Sequence, residues 1–280
     1  VPLFFKDAKT ISNLPTNQSY RPVITTLNAF DYWLAGKLTP VPFHIHIFIE
    51  FILLCFLIFL FVKKIFFKAS QKKLPYVALL TTAFFAFHIT TPETINYIIS
   101  RTDGFSTLMV LVGLLIFINN KGWKKQLGLI PFIIGTLAKP TTLMLAPILV
   151  VYQLLFESPS LFVKSEQKEG FLSKKIFSTI NTLPYFLVGV FLYFWTKSMF
   201  SDTWMPSTVK PLYYLNTQPY IVWIYIKTFF LPVNLTADTD LGLIKKFFDA
   251  RVLFGIFIIL LSLSIAYVTA KKRRTVPIAF

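Results

Sequence analysis

The 280-residue chain is 55% hydrophobic and 14% charged, with 32 Phe and a net charge of +16, whereas soluble domains run at about 25% charged. With a mean hydropathy of +0.65, these values exclude a soluble globular enzyme, a disordered chain and a nucleic-acid-binding domain. They point to an all-α, polytopic membrane protein. The single Cys55 lies in an apolar run, so no intrachain disulfide can form.

In chain order, residues 1–42 read as an external polar loop. Because that loop opens at Val1 with no preceding helix, the sequence reads as part of a longer protein with a further helix before Val1. Residues 43–62 form an apolar run of 20, long enough to cross a bilayer. Residues 74–89 and 104–118 are shorter and cross only with their flanks. Residues 127–137 and 141–156 are separated by Lys139-Pro140, and Pro140 supports a break there. Residues 176–196 and 252–270 complete about seven membrane segments in a single membrane domain. The aromatic stretch 220–231 is only 12 residues long and reads as an interfacial or re-entrant helix within the loop 201–251.

Single crossings throughout place residues 63–73, 119–125, 157–175 and the tail after Ala270 on one side. That side carries 16 of the 28 Lys and Arg but only three acids. The positive-inside rule makes it cytoplasmic. Most acids, Asp7, Asp31, Glu93, Asp103, Asp238 and Asp240 among them, fall outside.

The familiar soluble signatures (GxGxxG, P-loop, HExxH, CxxC) are absent. His44 and His46 point about 200° apart on a helix and do not easily share a metal. For these two and for His88, interfacial packing or a backbone hydrogen bond is the simpler reading. Over residues 91–101, Glu93, Asn96, Tyr97, Ser100 and Arg101 share a helical face of about 140°. That predicts an external surface helix, although Thr90-x-x-Glu93 is also a capping box with Pro92 in the first turn. Lys139, inside an apolar hairpin, either snorkels to the interface or acts at a site. Glu50, inside a span, reads as a buried neutral carboxyl bonded to a neighbouring helix. Asp238 and Asp240 lack the other ligands of a calcium loop and suit turn or cap roles. Asn17 and Asn234 begin formal glycosylation sequons.

Several motifs in order resemble one family. Tyr20-Arg21-Pro22, Asp31-Tyr32-Trp33-Leu34 and Pro42-Phe43-His44 resemble "RP…YWLGG…PxxFH". His88 through Glu93, Asn96 and Arg101 to Asp103 resembles "HPxxTExVxxIxGRxD", and Leu137-Ala138-Lys139 sits at "LSKE". Thr217-Gln218 through Leu231-Pro232 to Asp238 and Asp240 resembles "TQ…LLLPxxLxxDxD". The family is that of the transmembrane and tetratricopeptide-repeat O-mannosyltransferases and their bacterial relatives. The chain departs from it at Lys6, where the family has the first Asp of an "FDD" run, and at Pro140, where it has the Glu of "SKE".

The resemblance implies a GT-C-like helical bundle, tetratricopeptide repeats beyond residue 280, and transfer of a mannose-like hexose from a polyprenyl-phosphate sugar to an acceptor hydroxyl on a protein or glycan. Phosphate leaves readily, so the reaction needs one base and cations at the phosphate. On this reading Asp7 is the base, Arg101 and Lys139 share the phosphate with Arg21 in reserve, and Glu93 orients the acceptor or helps hold a divalent cation. His88, Asp103, Asp238 and Asp240 are further site candidates. The expected location is a bacterial inner membrane, or the endoplasmic reticulum in a eukaryote, with a periplasmic or luminal active face. The alternatives are a non-catalytic scaffold or a transporter, and a transporter would carry its charges near the bilayer midplane.

Overall fold

The computed structural model describes residues 1–12, 14, 19–157, 180–199, 210–233 and 241–271. Among these the regular structure is entirely helical, with no strand. The contacts divide the chain into two compact units, one ending at Trp204 and one beginning at Met205.

In the first unit, α1 (Pro22–Ala35) stops at Gly36, whose φ of 65° is the left-handed cap that glycine supplies without strain. Then come α2 (Val41–Ser70), α3 (Pro75–Ala86), α4 (Thr91–Asn96), α5 (Arg101–Asn119), α6 (Leu129–Ala138), α7 (Leu145–Tyr152) and α8 (Leu183–Ser198). Proline occupies the first turn of α1, α2, α3, α4 and α8, where its missing N–H costs nothing.

Contacts fix the direction of each helix. Glu50 meets Arg101 near the start of α2 and α5, and Leu60 and Asn119 line one groove near their ends, so these two run the same way. α3 returns beside α2, with Phe51 and Phe85 rings 6.2 Å apart. α6 runs back along α5: Gly128 lies against Gly113, Gly135 against Met109, and Lys139 reaches Asp103. Residues 140–157 then reverse again, bringing Tyr152 to Phe117 and Glu157 to Lys125. α8 climbs from Tyr185, bonded to the Lys125 carbonyl at 2.7 Å, to Trp195 beside Tyr20.

The bundle therefore has two chemically distinct ends. Asp31, Glu50, Arg101, Asp103 and Lys139 gather at one. Lys68, Lys125 and Glu157 gather at the other, where Lys68 also donates to the Tyr152 hydroxyl. Between them lies a core of Leu114, Phe117, Phe132, Leu145, Leu149, Tyr152 and Tyr185. Lipid tails are as apolar as these side chains, so van der Waals fit rather than water exclusion holds such a core together. A Cβ on Gly135 would approach Met109 and Thr142 to 2.7 Å, which is why glycine stands at this crossing.

The second unit holds α9 (Pro211–Phe230) and α10 (Ala250–Ala270), packed on each other. The predicted 12-residue interfacial helix is thus the latter part of a 20-residue one, with Pro219 inside it. Asn216 and Thr217, which interrupt the apolar run in the sequence, are satisfied instead by the segment before α10. Asn216 Nδ2 donates to the Ile244 and Lys246 carbonyls, and Thr217 Oγ1 accepts from Ile244 N–H.

Among the described residues, four helical runs are long and apolar enough to cross a membrane: Val41–Ser70, Ile98–Asn119, Pro140–Glu157 and Ala250–Ala270. Of the other three predicted segments, 74–89 and 127–137 appear as shorter helices of 12 and 10 residues, α3 and α6, and the described part of 176–196 holds the 16-residue α8, residues 176–179 lying outside the described residues. Ten residues of α6 rise only about 15 Å, roughly half a hydrocarbon core.

Candidate functional site

Arg101 opens α5 and is 1% exposed. Four of the guanidinium's five N–H directions meet carboxylate or amide oxygens, and the fifth faces the His46 ring. Nε donates to Glu50 Oε1 at 3.0 Å, and Nη2 to the same oxygen at 2.7 Å. Nη1 donates to Asp31 Oδ2 at 2.5 Å and to Asn28 Oδ1 at 3.1 Å. Nη2 also lies 2.8 Å from His46 Nδ1, which is itself 2.7 Å from Asp31 Oδ1. Helical spacing assembles the set: Asn28 and Asp31 are three apart on α1, and His46 and Glu50 four apart on α2, so each pair shares a face.

This arrangement corrects two expectations. First, residues 91–101 are not one surface helix. The helix ends at Asn96, Tyr97 is extended, a 3₁₀ turn covers Ile98–Ser100, and Arg101 begins α5. Thr90 makes no capping bond, because its hydroxyl is held 2.8 Å from His88 Nδ1. Glu93 is exposed on α4 while Arg101 is buried, so the two do not share a face. Second, Arg101 does not face an anion pocket shared with Lys139, since it is 1% exposed and donates to Asp31, Glu50 and Asn28. Burial of this cation is compensated from within the fold. Asp31, His46 and Asn28 are the participants that sequence reasoning missed. The His46-x-x-x-Glu50 spacing was the available signal.

Lys139 stands at the apex of the hairpin between α6 and the Pro140–Met144 turn, in extended conformation, and pairs with Asp103 of α5. Asp103 is half exposed and Lys139 less so. Arg21, at the start of α1, feels Asp103 as its charged neighbour. Burial pushes the Arg21 guanidinium below its ordinary value, and Asp103 partly restores it. Among the described residues no ion pair forms to Arg21 at contact distance. The structure thus pairs Asp103 with Lys139, while Arg21 makes no direct contact with either and only feels the Asp103 charge.

Asp7 caps a 3₁₀ turn, Ala8–Ile11, and its Oδ1 accepts from Lys9 N–H at 2.9 Å. The turns around it pack on α1, and the buried Tyr20 hydroxyl, one residue before Arg21, donates to the Phe5 carbonyl at 3.0 Å. His88 is buried against Phe84, with ring centroids 5.4 Å apart. Asp238 and Asp240 lie outside the described residues. Among the described residues no three His, Cys, Asp or Glu side chains converge on a metal-sized site. The space enclosed by Asp31, His46 and Glu50 is filled by the Arg101 guanidinium.

A small cavity of about 110 Å³ adjoins the cluster, lined by Glu50, Arg101, Phe85 and three threonines, Thr90, Thr91 and Thr94. Comparison with protein-family models, with curated proteins and with solved structures finds no match.

Proposed function

We propose that the chain is a membrane glycosyltransferase of GT-C type. It transfers a mannose-like hexose from a polyprenyl-phosphate sugar to an acceptor hydroxyl, most simply a protein Ser or Thr, at the external face. The observation that carries this reading is the partly exposed Lys139–Asp103 pair at the acid-bearing end of the bundle, whose charge Arg21 also feels. An exposed ion pair contributes little, about 0–1 kcal/mol, so a lipid phosphate can displace Asp103 and take both cations. Arg101 acts one layer below as a positioning residue that ties α1, α2 and α5 together.

Asp7 is the proposed base. Its Oδ2 carries no hydrogen bond among the described residues, whereas Oδ1 is committed to Lys9. That leaves one oxygen to accept a hydroxyl proton while the phosphate departs toward the cations. In this proposal the exposed Glu93 orients the acceptor. The second reading, a non-catalytic scaffold or transporter, draws on one observation: the arginine that the resemblance assigns to the phosphate is consumed by the fold.

The test is transfer by the reconstituted full-length protein from a panel of polyprenyl-phosphate sugars. Asp7→Asn should lower turnover roughly 10²–10⁴-fold with donor binding retained. Lys139→Gln and Arg21→Gln should weaken donor binding. No transfer from any donor by the wild type would favour the scaffold, and full turnover in Asp7→Asn would place the base elsewhere.

A further inference from the structure

The lysine end of the first unit holds a cavity that the proposed chemistry does not use. It lies between α2 and α5 and measures 580 Å³. Its walls are apolar, formed by Leu57, Leu60, Val112 and Leu115. Its polar lining is Lys63, Lys64, Lys73 and two amides, Asn119 and Asn120, with no carboxylate. A second cavity of 510 Å³ shares Lys64, Asn119 and Asn120, and adds Lys68, Lys121 and Lys125 against a single acid, Glu157. Glu157 is already spoken for, because Lys125 Nζ donates to both its oxygens at 2.8 and 2.7 Å.

We propose that this groove binds one anionic phospholipid, with an acyl chain between α2 and α5 and the phosphate on Lys63, Lys64 and Lys73. Charge complementarity is the reason. Among the described residues none of these three lysines forms an ion pair, and Lys63 only overlies the Phe59 ring at 5.7 Å. Three ammonium groups beside an apolar slot repel one another unless an anion sits among them, and a phosphate bearing a hydrocarbon tail matches both halves of the site. Asn119 and Asn120 add neutral donors for a glycerol or phosphate oxygen. The positive-inside reading of the adjoining loops puts this end in the cytoplasmic leaflet, where anionic headgroups concentrate. The inference does not depend on the glycosyltransferase reading, whose cations lie at the opposite end of the helices.

The experiment is native mass spectrometry of the full-length protein after exchange into mixed micelles containing phosphatidylglycerol or phosphatidylcholine. The wild type should retain phosphatidylglycerol preferentially. The triple variant Lys63→Gln, Lys64→Gln, Lys73→Gln should lose that retention on the order of 10²-fold, from roughly fivefold per lysine, with phosphatidylcholine unchanged. Leu60→Trp, which fills the slot and keeps the charges, should also lose it. Equal retention of the two lipids by the wild type, or undiminished phosphatidylglycerol on the triple variant, overturns the proposal. Should the triple variant fail to fold, wild-type retention should fall from low to high salt, because exposed lysines are screened. Salt-independent retention equally overturns it.

Discussion

Arg101 illustrates how a buried charge is made tolerable: two carboxylates, an amide and an imidazole converge on one guanidinium from α1 and α2. Removing the hub leaves Asp31 and Glu50 buried without a counter-charge, so Arg101→Met should cost about 3–5 kcal/mol. Glu50→Gln keeps a hydrogen-bond acceptor and should cost less, about 1–3 kcal/mol. Denaturant titration in detergent measures both, and an Arg101→Met loss below that of Glu50→Gln would refute the hub. At the second unit, Asp249 caps α10 by accepting from Arg251 N–H at 3.0 Å. Hydrogen bonding from the Arg251 side chain, then from its backbone, holds the Asp249 carboxyl down to about 2, below its ordinary 3.8. A depressed carboxylate stabilises fully above its unfolded value. The first turn of α10 should therefore be protected from amide exchange above about pH 4 and lose that protection as pH falls through about 2. Asp249→Asn should remove the pH dependence, and a persistent step in that variant would assign it to another group.

Elements were legible from the sequence wherever apolar length and proline agreed. The break at Lys139-Pro140 was readable because proline cannot continue the hydrogen-bond ladder, and the hairpin turns there. The 91–101 helix was misread because a helical wheel assumes an unbroken helix, and nothing local announces the extended Tyr97. α9 was truncated for the opposite reason: the partners of Asn216 and Thr217 lie 27 to 30 residues away, and a local scan does not see them. Asp31 and His46 stayed hidden because their shared partner is a third helix. Close helix crossings give a sharp test of packing. A Cβ on Gly255 would run into the backbone of Pro219 and Tyr220, atoms that cannot swing aside. Gly255→Ala should therefore force α9 and α10 apart at a cost of about 1–3 kcal/mol, whereas Gly242→Ala, with open space around it, should be nearly neutral. Equal stability of the two variants would contradict the described contact.

For the first unit as a whole, the separation of its two ends is the property to check. Lys37 follows α1 at the acid-bearing end, and Gln71 ends α2 at the lysine end; both are exposed. In a Cys55→Ser background, Lys37→Cys and Gln71→Cys should react with an impermeant thiol reagent from opposite sides of sealed vesicles. Labelling of both from one side would remove the membrane-crossing reading of α2. The Arg101 cluster also bears on how such a chain is made. Its acids come first: Glu50 precedes its cation by 51 residues and Asp31 by 70. At about 5–20 residues per second, a ribosome delivers them to the membrane several seconds before α5 emerges. During that interval α2 carries a carboxyl with no guanidinium to receive it. The insertion machinery must hold this helix until Arg101 arrives. A nascent chain stalled before residue 101 is thus a natural target for membrane quality control, and one stalled after α5 has already closed its charge.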